Sequence, residues 1–175
     1  VLICLGGLVI GPGVTLDAAA VNVAAGTLTV HGTLGCDHTH TAGVLQGSGT
    51  IDGNLTLNAT SAADVLNILP GALHVTGDLT LDGSTTVRAS GMGGQVTVLT
   101  YDGSLTGDAT NLAIEDLANF RAGTALNTDE PGIITLDIAG DDLTWTNGAG
   151  TGLWSTASAD ANWDNGGAQD YFYQS

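Results

Sequence analysis

Cys36, His38 and His40 alternate with Asp37 and Thr39 in the run Gly35–His40. In an extended segment successive side chains point to opposite faces, so these three would share one. Thiolate and imidazole together suit a soft or borderline metal such as zinc or copper. The segment offers no fourth ligand, and the competing reading is a His-rich loop between two strands. Cys4 is the only other cysteine. With Cys36 it could form a disulfide, remain a second free thiol or link neighbouring molecules; signs of export favour oxidation. The stretch GSGTIDG, Gly47–Gly53, has the glycines and aspartate of calcium-binding β-rolls but neither their spacing nor their repetition. Calcium is the other metal to test, and no organic cofactor is expected.

Catalytic constellations are sparse. A lyase acting on uronic acids needs cations to neutralise carboxylates, and Arg88 and Arg121 are the only Lys or Arg residues. A glycosidase needs two carboxylates at a set separation, whereas Asp141 and Asp142 are adjacent and in a strand would face opposite sides. No Gly-x-Ser-x-Gly elbow, zinc-protease helix or P-loop occurs. A polysaccharide-degrading enzyme is the least favoured reading, and the chain is expected not to be an enzyme.

The elements that must carry these residues are strands. Gly numbers 27 of 175 residues, Pro only 3, and 43% of the chain is apolar with few aromatics. That mixture suits short strands and tight turns. The formal net charge is −16, which disfavours nucleic acid and an anionic membrane surface. No run reaches the roughly 18 apolar residues of a membrane span, so no membrane insertion is expected. The excess of Asp over Glu fits turns, where a short carboxylate accepts from nearby backbone N–H groups.

Internal repetition is the strongest pattern. Val21–Leu34 (VNVAAGTLTVHGTL) matches Leu66–Leu79 (LNILPGALHVTGDL) at an offset of 45, with Asn, Gly, Leu, Val, Gly and Leu identical. Period-two alternation broken by Gly gives half-buried strands, and a fixed offset points to a solenoid of stacked coils rather than a sandwich. An offset of 45 is read as two coils of about 22 residues. Residues 1–140 are therefore expected to form an all-β, right-handed parallel β-helix, running as coils from about Val14 to Ile138. Leu28, Val30, Leu55, Leu57, Leu73, Val75, Leu79 and Leu81 should lie inside. Asn111–Arg121 is the one segment that could hold a short helical turn.

Residues 1–13, beginning with the apolar Val1, Leu2 and Ile3, are read as a docking or capping strand. From Asp141 to Ser175 the texture changes to an aromatic-rich module with Trp145, Trp154, Trp163, Tyr171, Phe172 and Tyr173. This module is read as a cap over the open end of the core, or else as a surface for carbohydrate stacking or subunit docking.

Three segments carry a resemblance: LQGSGTIDGNLTL (Leu45–Leu57), PGALHVTGDLTLDGSTTV (Pro70–Val87) and LTWTNGAGTGLWSTASADANWDNG (Leu143–Gly166). They resemble the strand repeats of autotransporter passenger domains and related secreted, repeat-rich bacterial surface proteins. The resemblance implies secretion to the cell surface and a role in adhesion or self-association. The expected function is thus an extracellular structural unit that forms a homo-oligomer or polymer through its ends, as a fibre, filament or sheath. An adhesin that binds a surface polysaccharide is the alternative.

Overall fold

The fold was analysed in a computed structural model. It describes residues 2–4, 6–23, 26–58, 65–67, 72–88, 94–115, 117, 123–139, 143–148, 150, 162–165 and 168–170. The molecule is all-β, and most of its strand pairs are parallel. A six-stranded sheet stacks β2 (Leu8–Ile10), β5 (Thr27–Val30), β8 (Val44–Gly47), β11 (Val65–Asn67), β14 (Thr85–Arg88) and β17 (Leu112–Ile114). A seven-stranded sheet stacks β3 (Thr15–Asp17), β6 (Thr33–Gly35), β9 (Thr50–Ile51), β12 (Leu73–Val75) and β15 (Gly94–Tyr101), followed by β19 (Ile133–Ile138) and β18 (Ala125–Asn127). A four-stranded sheet holds β7 (His38–His40), β10 (Leu55–Leu57), β13 (Leu79–Leu81) and β16 (Leu105–Thr106). A two-stranded sheet pairs β1 (Leu2–Cys4) with β4 (Val21–Val23), and β4 lies against β7.

From β1 to β17 each strand pairs with the strand three places on, except that β4 lies against β7 without a backbone ladder, so each circuit brings the chain back one strand along. Such strands alternate an inward apolar residue with an outward polar one. The inward residues form columns about 4.8 Å apart: Leu28, Leu45, Leu66 and Val87 in the six-stranded sheet, and Leu34, Ile51, Val75 and Tyr101 in the seven-stranded one. All eight residues expected inside are buried. Leu28 lies between Leu8 and Leu45 with no exposed surface. Leu28→Ala is therefore expected to cost about 2–5 kcal/mol in urea unfolding, against under about 0.5 kcal/mol for the exposed Thr39→Ala.

The repeat length needs correction. Partner strands are offset by 20 residues between β2 and β5, 17 between β5 and β8, 24 between β10 and β13, and 26 between β13 and β16, so the circuit varies in length along the chain. The offset of 45 places Leu28 of the six-stranded sheet over Leu73 of the seven-stranded sheet, and Leu34 of the seven-stranded sheet over Leu79 of the four-stranded one. Inward strands of all three sheets face the same aliphatic core, so the same alternation recurs whichever sheet a segment joins.

The parallel order also ends before Ile138. β19 pairs antiparallel with β15 and β18 with β19, so this strand pair covers the far edge of β15. The chain reverses through Asn127–Gly132, where the Asn127 side chain accepts from the Asp129 N–H (2.7 Å) and Pro131-Gly132 makes the final bend, with Gly132 at φ 86°. Val98 bulges out of register in β15, and Val98 and Leu99 are both buried. Within Asn111–Arg121, Asn111 closes a 3-10 turn (Ala109–Asn111) capped by Asp108, and Leu112–Ile114 is strand. The remainder of that segment lies mostly outside the described residues. β20 (Leu143–Trp145), β21 (Trp163–Asn165) and β22 (Ala168–Asp170) form a separate antiparallel sheet.

Candidate functional site

β7 places His38 and His40 inward, in the columns that continue as Leu55 and Leu57. Both histidines are buried, and His38 is 2% exposed. Their ring centroids lie 6.1 Å apart. His40 Nε2 is 3.3 Å from the Gly43 carbonyl oxygen. Neither ring nitrogen of His38 has a hydrogen-bond partner. Burial, followed by the neighbouring His40, lowers the His38 pKa from 6.5 to about 4; the backbone of Val21 offsets part of this without reaching hydrogen-bond geometry. His38 is therefore neutral at physiological pH.

Cys36 does not join them. Gly35 ends β6 and His38 begins β7, so Cys36 and Asp37 form the corner between two sheets and the alternation stops there. Among the described residues no three His, Cys, Asp or Glu side chains gather to hold a metal ion. Cys36 is a half-buried free thiol whose pKa is pushed up by burial, which keeps it protonated and weakly nucleophilic. The side chain of Cys4 lies outside the described residues.

The same corner carries a hydrogen-bonded ladder that the linear sequence hides. Asp37 Oδ1 accepts from the Asn54 N–H, Asn54 Oδ1 from the Asp78 N–H, and Asp78 Oδ1 from the Ser104 N–H, each at 2.7 Å. Each side chain thus satisfies the turn of the next circuit. A Cβ on Gly77 would lie 2.4 Å from Asn54 Oδ1 and 2.6 Å from the Gly53 carbonyl oxygen, so the corner needs glycine beside each rung. Asp52, from the stretch compared with calcium β-rolls, accepts from the Thr76 hydroxyl at 2.9 Å. These aspartates perform turn chemistry. Asn54→Ala is expected to cost about 1 kcal/mol. Asn54→Asp should keep the acceptor but repel Asp37 and Asp78, so that raising the salt concentration restores part of its stability in urea titrations.

An arrangement missed from the sequence lies on the outer face. His74 Nδ1 is 3.0 Å from Thr100 Oγ1, and its Nε2 is 3.2 Å from Asp102 Oδ2. The order Asp, His, Thr is that of an activated hydroxyl. The nearby Tyr101 and Asp102 N–H groups are spent on the carbonyls of Gly132 and Val75, so neither is free to stabilise an oxyanion. No sequence signal could have found it, since the 26-residue separation becomes adjacency only through the register of β12 and β15. Arg88 forms a two-pronged ion pair with Glu115, which holds that carboxyl below its usual range, so this cation is already matched. Arg121 lies outside the described residues.

β1, β2 and β3 are the edge strands of their sheets. Leu2 is 37%, Val9 69% and Val14 52% exposed; Ile3 lies within β1. Trp145 is 37% exposed, and its backbone pairs with that of Trp163. Val1, Trp154, Tyr171, Phe172 and Tyr173 lie outside the described residues. No helix among the described residues is long and apolar enough to cross a membrane. The chain matches no protein-family model, no curated protein and no solved structure.

Proposed function

We propose that the chain is an extracellular structural unit, a right-handed parallel β-helix that associates with copies of itself to build a surface fibre or sheath. The recurrence of parallel partners three strands on supports the solenoid reading, and parallel crossover connections are right-handed in nearly all cases. The observation that carries the assembly reading is the first circuit. Residues 1–16 contain no Asp, Glu, Lys or Arg in a chain of net charge −16, and Leu2, Val9 and Val14 are exposed beside three edge strands. Strand edges that lack a partner among the described residues and bear apolar side chains invite strand addition. Like-charge repulsion is weakest at this end.

At the other end of the seven-stranded sheet the edge strand is β18, antiparallel to β19, and the proposed association runs through the first circuit. Lowering the Debye length from about 30 to about 8 Å, by raising ionic strength from roughly 0.01 to 0.15 M, should promote it. Sedimentation velocity on the 175-residue chain tests this. The expected result is salt-induced oligomers that Val9→Asp and Val14→Asp each abolish while the circular dichroism stays unchanged. A chain that remains monomeric at high concentration and salt would sink the proposal. The half-exposed Trp145, set across from Trp163, favours an adhesin that stacks on a surface polysaccharide as the second reading.

A further inference from the structure

We propose that His38 and His40 form an acid-sensitive lock in the core, so that protonation opens the circuit β7–β9 and loosens the strands on either side. This goes beyond assembly and depends only on the interior of one chain. In a column continued by Leu55, Leu79 and Leu105, with the buried Val21 of β4 packed alongside β7, an imidazole stands with both nitrogens buried and unpartnered. A neutral ring can remain there at some cost, whereas a charged one needs a counter-charge or water.

Among the described side chains the packed elements supply neither. β4 contributes Val21 and β10 contributes Leu55 and Leu57, all buried and aliphatic. Leu45 of β8 and Ile51 of β9 belong to the same core. The one titratable group facing His38 from its own strand is His40, which becomes repulsive when both rings are charged. At the corner, the Cys36 thiol is neutral when protonated, and the Asp37 carboxylate is exposed and bonded to the Asn54 N–H. Protonation is therefore accommodated only when β7 leaves the core and water reaches the ring. Thr41, Ala42 and Gly43, which follow β7, form no regular element, so the strand has a short hinge on that side.

Hydrogen exchange on the full chain under dilute, monomeric conditions tests the lock separately from assembly. Between pH 7 and pH 5, after correction for intrinsic exchange, opening at β4, β7 and β10 is expected to rise about 20-fold relative to β14 and β17. His38→Leu, which continues the aliphatic column, should remove that excess. A uniform change along the chain, or an excess that persists in His38→Leu, overturns the proposal. If the variant fails to fold, an NMR titration of His38 in the unmodified chain decides instead. A midpoint near 4 supports the lock, and one at or above the ordinary imidazole value of about 6.5 overturns it.

Discussion

Gly47→Ala is expected to destabilise the fold by roughly 3–5 kcal/mol, more than any other single methyl added to a described glycine. Gly47 ends β8 directly over Val30 at a backbone φ of 137°. A Cβ built there would lie 1.9 Å from the Val30 carbonyl oxygen, 2.6 Å from its carbonyl carbon and 2.8 Å from its amide nitrogen. None of these atoms belongs to a side chain that could swing away. Relief requires β5 and β8 to separate, and Val30 and Leu45 are fully buried on those strands. Backbone strain at positive φ adds about 1–3 kcal/mol to the clash. Gly6→Ala provides the control, because nothing lies within 4 Å of its added Cβ; it should change stability by under about 1 kcal/mol. Urea midpoints and slopes for the two variants check the contrast. An equal effect in both would mean that the tight contact between β5 and β8 does not limit the fold.

The position of Gly47 illustrates what was legible in the sequence and what was not. Period two is a property of one strand, so inward residues such as Leu55, Leu57, Leu79 and Leu81 could be identified without knowing their neighbours. Glycine marked the turns for the same local reason. The partner that makes Gly47 obligatory is Val30, 17 residues away, and that spacing could not be read because the circuit varies between 17 and 27 residues along the chain. Matching at an offset of 45 aligned strands from different sheets, since all three supply the same Leu and Val columns. The antiparallel end had a usable signal in Asn127–Gly132, whose Pro131-Gly132 pair interrupts the alternation between β18 and β19. The outward Asx ladder had none, because Asp37, Asn54, Asp78 and Ser104 look like ordinary turn residues until the circuits are stacked. His38 and His40 were correctly placed on one face. Their direction was not legible, since two polar side chains gave no local reason to point into an aliphatic core.

That inward direction sets the second large effect, the response of global stability to acid. The folded-state pKa of His38, about 4, lies below the unfolded value of 6.5, so between those values the unfolded chain binds more protons. Stability must therefore rise with pH across this window and fall as the solution is acidified. Lowering the pKa from 6.5 to about 4 corresponds to roughly 3 kcal/mol, present in full above pH 6.5 and lost once the pH passes below 4. Two other effects fall outside most of that range. The Glu115 carboxyl, held down by Arg88, adds a loss in the same direction only where carboxylates titrate. Protonation of the many aspartates relieves self-repulsion and opposes the loss, again mainly below about pH 4.5. Between pH 6.5 and 4.5 the buried imidazole should dominate. His38→Leu removes two unpartnered nitrogens from the core and is expected to raise stability at pH 7 by about 1–3 kcal/mol. It should also flatten the profile between pH 6.5 and 4.5, whereas the solvent-facing Thr39→Ala should leave the slope intact. Urea unfolding at half-unit pH steps would measure both quantities. A variant that gained stability but kept the slope would place the acid response outside His38, and one that lost stability at every pH would mean that the imidazole is held by an interaction its leucine replacement cannot reproduce.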